Sequence, residues 1–108
     1  MSETKISKNI RKMIEAEFPE IFFDRMHCGK VKVRGGYMNL AKPGWPDYVG
    51  ILPGGKFLGI EIKDPDGTTS KKRAELQAEV GDKIKRMGGT YVQVTNVEDA
   101  KTKLQCLK

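Results

Sequence analysis

The sequence predicts one mixed α/β domain, a four-stranded sheet flanked by helices in the order αβββαβα, and three observations lead there. At 108 residues the chain suffices for one compact domain and falls short of two. Two apolar, strand-like runs flank Pro53-Gly54-Gly55, which makes an antiparallel hairpin. A helix-length segment then separates the third strand from the fourth, long enough for a right-handed parallel crossover.

Each element has its own local signal. Ile6, Ile10, Met13 and Ile14 recur at helical spacing behind Ser2, a residue suited to N-capping, so residues 3–17 read as an amphipathic helix that Pro19 ends. Residues 21–26 (IFFDRM) form a first strand, and 27–45, with Gly29, Gly35, Gly36, Pro43 and Gly44, read as a long loop. Loops of that length are commonly functional. Residues 47–52 (DYVGIL) and 56–63 (KFLGIEIK) are the hairpin strands. Ser70 caps a helix striped by Leu76, Val80, Ile84 and Met87 and closed by Gly88-Gly89. Residues 90–95 (TYVQVT) are the fourth strand, and Asn96 caps a last helix bearing Val97, Ala100, Leu104 and Leu107.

Composition excludes several classes of function. The apolar fraction is 38%, and no run approaches the roughly 20 residues of a membrane span or a signal-peptide core, so a cytoplasmic protein is expected. Cys28 and Cys106 have no second Cys or His at metal-site spacing and read as free thiols; His27, the single histidine, reads as a loop side chain. No phosphate-loop glycine pattern occurs, so no nucleotide cofactor is expected.

The charge is unevenly spread. The net formal charge is +6, with nine basic and five acidic residues in 1–45 and six against three in 67–87. Between them, residues 46–66 hold two basic residues and four acidic ones, Asp47, Glu61, Asp64 and Asp66. Basic flanks suit a polyanion, and an acidic enclave within them suits a cation. From Arg25 to Pro46 there are five basic residues (Arg25, Lys30, Lys32, Arg34, Lys42), no acidic one, and the aromatics Tyr37 and Trp45. That mixture fits a nucleic-acid backbone.

Hairpin register decides whether the carboxylates meet. With a three-residue turn, paired positions sum to 108 and Asp47 faces Glu61, Cβ atoms about 4.5–5.5 Å apart, with Lys63 on the same face. Two carboxylates that close repel, which makes sense chiefly with a cation between them. A two-residue Gly-Gly turn would shift the sum to 109 and turn Asp47 to the other face, and the apolar pattern of these strands allows both registers.

The run Gly44-Trp45-Pro46-Asp47, followed after thirteen residues by Glu61-Ile62-Lys63, resembles the PD-(D/E)xK nuclease signature. With Ser2-Glu3, Arg25, Gly29, Gly54-Gly55, Gln77 and Gly88-Gly89, the chain is similar to the stand-alone form of the virus-type replication-repair nuclease (VRR-NUC) domain from Glu3 to about Leu104. The resemblance implies a restriction-endonuclease-like αβββαβ core with a C-terminal helix, spanning residues 1–108 as a single domain. It implies Mg²⁺ or Mn²⁺ held by Asp47, Glu61, the main-chain carbonyl of Ile62 and Glu3, the helix-one acid, with Glu15 and Glu17 as rivals for that role. Lys63 would orient the attacking water or offset charge on the transition state, and Gln77 would face the site from the second helix.

The function expected is thus a metal-dependent, structure-selective DNA endonuclease in a bacterial or phage-infected cell. The family resemblance implies a homodimer that cuts four-way (Holliday) junctions. A nicking, flap or restriction-like nuclease is the enzymatic alternative, and a non-catalytic basic DNA-binding module the other. Arg25, Lys30, Lys32 and Arg34 are the expected phosphate contacts, with Lys71, Lys72 and Arg73 as a second candidate surface.

Overall fold

Residues 4–27, 30–63 and 69–107 are described in a computed structural model of the chain. The first helix, α1 (Lys5–Glu17), is capped by Thr4, whose side chain accepts a hydrogen bond from the Ser7 backbone, rather than by Ser2. Ile10 and Ile14 are fully buried and Met13 nearly so, as the periodicity predicted; each such side chain contributes about 1.5–3 kcal/mol on leaving water. The strands β1 (Phe22–Arg25), β4 (Tyr48–Leu52), β5 (Lys56–Ile62) and β6 (Thr90–Val94) make one sheet in the order β1-β4-β5-β6. β4 runs antiparallel to both of its neighbours, β1 and β5. The pairing of β5 with β6 is parallel, reached through the crossover helix α2 (Lys71–Arg86), so the expected mixed four-stranded sheet is present. The last helix, α3 (Val97–Gln105), is capped by Asn96 as predicted.

Strand alternation sorts the sheet into two faces. Tyr48, Leu58, Ile60 and Val94 face α1 and α3, joining Ile10, Ile14, Phe18, Ala100 and Leu104 in the main core. Within it the Ser7 hydroxyl and the Tyr48 hydroxyl share a buried hydrogen bond of 2.9 Å, tying α1 to the strand that follows Asp47. The other face carries Phe57, Gly59, Glu61 and Lys63 of β5 and Tyr91 and Gln93 of β6, and α2 lies over it. Gly81 allows that approach, since a Cβ there would stand 2.6 Å from the Tyr91 ring.

Two further expectations fail. Residues 27–45 are not an open loop: β2 (Lys30–Val33) and β3 (Gly36–Asn39) pair antiparallel as a separate two-stranded sheet. All eight of its residues are exposed, so no buried face imprinted an apolar stripe on the sequence. Its turn relies on Gly35, at φ +91°, a value that side-chain-bearing residues avoid. The second failure concerns Met87, expected on the buried stripe of α2 and found 89% exposed just beyond the helix end. The buried stripe is instead Gln77, Gly81 and Ile84, because the helix settles on its glycine. Leu76 and Val80 are half-buried, and with Trp45, Phe57 and Met87 they line an apolar groove of about 700 Å³.

Candidate active site at the open end of the β4–β5 hairpin

The hairpin has the three-residue register. Leu52 pairs with Lys56 and Tyr48 with Ile60, so the same alignment, carried one step further, sets Asp47 against Glu61. Gly54 and Gly55, both at positive φ, make the turn, and Gly55 donates its N–H to the Leu52 carbonyl at 3.0 Å. Asp47 lies just outside the ladder, where its side chain is free to bend across the strands. Its Oδ2 accepts the Ile62 N–H at 2.8 Å, and its carbonyl accepts the Met26 N–H at 2.8 Å.

Proline explains why a carboxylate is needed there. The β4–β5 ladder ends at Tyr48 and Ile60, and Pro46, which has no N–H, cannot extend it. The Asp47 side chain takes the Ile62 N–H in its place. Pro46 itself is fully buried and rests on β5 at Gly59: a Cβ on that glycine would meet its ring carbon at 2.7 Å. Gly44 fastens the other side of the loop, at φ +100° and so close to α2 that an added Cβ would lie 2.8 Å from the Leu76 carbonyl oxygen. Gly59 is a part of the site that sequence reasoning missed, although a glycine inside an apolar strand is a signal of close backbone approach.

Glu61 is 1% exposed, and its Oε1 has no hydrogen-bond partner among the described residues. Burial pushes its carboxyl up to about 9, helped by its hydrogen bond to Asp47 and by that neighbour's charge, while Lys63 and Arg73 pull the other way and lose. In the protein alone Glu61 therefore carries a proton at neutral pH and donates it to Asp47. Tyr91, on the same face, is also raised, mainly by burial and secondarily by the negative field of Glu61, Asp47 and Asp82, against a lowering hydrogen bond from Gln93. Lys63 hangs by its backbone from the Val94 carbonyl at 2.8 Å, and its Nζ donates to Oε1 of Gln77. Gln77 is 7% exposed, so α2 delivers a buried acceptor that holds the lysine head beside the carboxylates.

A cleft of about 320 Å³ opens onto this cluster, bounded by Asp47, Gln77, Trp45, Ser70, Lys72 and Arg73. Arg73 and Lys72 belong to the first turn of α2, an unusual place for cations because the helix dipole repels them. Both they and the unsatisfied amides of that turn attract anions.

The sequence-derived residues are thus partly assembled. Asp47, Glu61, Ile62, Lys63 and Gln77 converge; Lys72 and Arg73 border the same cleft, and Lys71 is exposed beside them. Arg25, paired with Tyr48, projects to the α1 side of the sheet, away from Glu61. Lys30 and Lys32 ride on the hairpin β2–β3 and Arg34 on its turn. Glu15 pairs with Arg11 and Glu17 with Lys101 of α3, so both rivals for the helix-one acid have partners elsewhere. Glu3 lies outside the described residues, as do Ser2, Cys28, Gly29, Asp64 and Asp66.

The donor set fits a hard divalent cation: two adjacent carboxylates, one with a buried oxygen lacking any partner among the described residues, beside the Ile62 main chain. Among the described residues no third His, Cys, Asp or Glu joins them. No helix among those residues is long and apolar enough to cross a membrane. Set against family models, curated proteins and solved structures, the chain returns no match.

Proposed function

We propose that the chain is a Mg²⁺- or Mn²⁺-dependent, structure-selective DNA endonuclease of the VRR-NUC type, a resolvase of four-way junctions that acts as a homodimer. The observation that carries this reading is the pairing of half-buried Asp47 with fully buried Glu61, whose Oε1 finds no partner among the described residues, set next to a lysine and beneath a basic rim. A non-catalytic DNA-binding module has no use for a buried carboxyl that holds a proton at neutral pH, and such strain is a mark of functional sites.

Asp47, Glu61 and the Ile62 carbonyl would hold the cation, with Glu3 a further ligand. When bound, it supplies Lewis-acid polarisation of the phosphate and a lowered pKa for the attacking water. With a cation held there, Glu61 would serve as the ionised carboxylate, its proton passing to solvent. Lys63, restrained by Gln77, orients that water or offsets charge building on the phosphate oxygens. Lys72 and Arg73 hold the phosphates flanking the scissile one. Resolution of a junction requires two symmetric nicks, which a two-fold dimer supplies with identical sites at fixed separation.

The test is a cleavage panel of four-way junction, flap and plain duplex with Mg²⁺, Mn²⁺ or EDTA, run beside sedimentation equilibrium. Junction cutting that requires metal, disappears in Glu61→Gln and comes from a species near twice the 12.1 kDa chain mass is the expected result. Wild-type rates in Glu61→Gln remove the site assignment. A 12.1 kDa monomer that still cuts replaces the resolvase with a nicking or flap nuclease.

A further inference from the structure

We propose that the β2–β3 hairpin is a DNA arm on which Tyr37 stacks against a base exposed at a branch point, giving the protein its preference for branched over continuous duplex. The inference rests on the nuclease reading above and adds to it a residue that selects the substrate.

Register divides the arm into two unlike faces. Lys30 pairs with Asn39 and Lys32 with Tyr37, which gathers both lysines and the phenol on one side. Val31 pairs with Met38 and Val33 with Gly36 on the other. Tyr37 is 73% exposed. The charge of this segment suits only an anionic partner, since no acidic residue occurs from Arg25 to Pro46. Ammonium groups spaced along a strand can follow a phosphate backbone, while a phenol between them is suited to a flat aromatic surface. Continuous duplex stacks its bases on one another and offers no such surface. A branch point, where stacking is interrupted, does.

The arm is also placed to sense the same stretch of DNA that the carboxylates would cut. It leaves the body after Met26 and returns through Pro43 and Gly44, three residues that border the cleft holding Asp47. The Ala41 N–H meets the His27 carbonyl at 3.4 Å, closing the arm's base. Four residues per strand carry it about 13 Å outward, close to four base-pair steps. Phosphates gripped by Lys30 and Lys32 on one side, and by Lys72 and Arg73 on the other, would hold a branch across the cleft mouth.

The experiment measures binding in EDTA, where no cutting occurs, with a four-way junction carrying 2-aminopurine beside the crossover and a continuous duplex of equal length. Wild type should prefer the junction and quench the fluorophore. Tyr37→Ala should lose the quench and roughly ten- to hundredfold of its junction affinity, with duplex affinity nearly unchanged. Tyr37→Phe keeps the ring and should restore both signals. An unchanged junction-to-duplex ratio in Tyr37→Ala overturns the inference and leaves the nuclease reading standing. A change of sedimentation in Tyr37→Ala or Met38→Ser, without a change in that ratio, makes the arm an interface between copies and overturns it too. Failure of the intact chain to bind either DNA at low salt removes the nuclease reading, and this inference with it.

Discussion

The Asp47 carboxylate accepts the backbone N–H of Ile62 at 2.8 Å, so the side chain that would ligate a cation also splices the strand next to it. Asp47→Asn keeps an oxygen for that N–H, whereas Asp47→Ala does not. Both substitutions should reduce cleavage by roughly a hundredfold or more, since either removes a charge that stabilises the reacting centre. Only the alanine should also lower stability, by about 1 kcal/mol. Urea unfolding of the two variants beside cleavage kinetics separates the structural from the chemical share.

Glu61 gives a dependence on pH whose sign is set by its raised pKa. Below about pH 4.5 the carboxyl is protonated in the folded and unfolded chains alike; from there to about 9 the folded chain keeps a proton that the unfolded one has lost. Stability of the metal-free protein should therefore fall as pH rises through that window, by up to about 1.4 kcal/mol per pH unit from this group. Glu61→Gln should flatten the fall and be the more stable form at about pH 8. Adding Mg²⁺ there should raise the Tm of wild type and leave the glutamine variant where it was. Thermal melts across pH with and without metal check both statements.

Gly44→Ala should be damaging far beyond its size. The residue stands at φ +100° and a Cβ would press on the Leu76 carbonyl, so the loop carrying Trp45, Pro46 and Asp47 must shift away from α2. A destabilisation of about 1–3 kcal/mol is expected, with cleavage falling further than stability. Gly54→Ala, where a Cβ meets nothing within 4 Å, is the control for backbone strain alone.

Replacing Lys30, Lys32 and Arg34 together by alanine should weaken binding to every DNA form and make log K against log salt shallower by about 2 to 3, close to one unit for each phosphate left without its cation. Affinity titrations at several salt concentrations measure this. An unchanged slope would transfer the phosphate grip to Lys71, Lys72 and Arg73.

Much of this architecture was legible from local pattern. The helical stripe of Ile10, Met13 and Ile14 and the caps Ser70 and Asn96 reflect short-range physics, and they appear where expected. The hairpin register had two readings in the sequence. What decides it is the turn, in which Pro53, Gly54 and Gly55 all remain unpaired, and that choice brings Asp47 to Glu61. The arm was missed because a ribbon exposed on both faces has no hydrophobic alternation to read. Met87 was misassigned because apolar spacing cannot show that Gly81, lacking a side chain, would draw the helix around onto Tyr91. The pairing of Lys63 with Gln77 depends on the crossover's final placement, which no local signal encodes.

The turn at Pro53-Gly54-Gly55 lies at the opposite end of the hairpin from the carboxylates, and so the count of residues between turn and site behaves as a ruler. One residue added inside β5 between turn and acid would rotate what lies beyond it to the other side of the sheet, carrying Glu61 among Ile10, Ile14 and Leu104 and an apolar neighbour into its place, and one added inside β4 would do the same to Asp47. One residue added within the turn itself would only lengthen a loop in solvent. Drift in chain length is therefore tolerable at the tip of this hairpin and forbidden along its sides, and the spacing from turn to acid is as much a part of the chemistry as the acid itself.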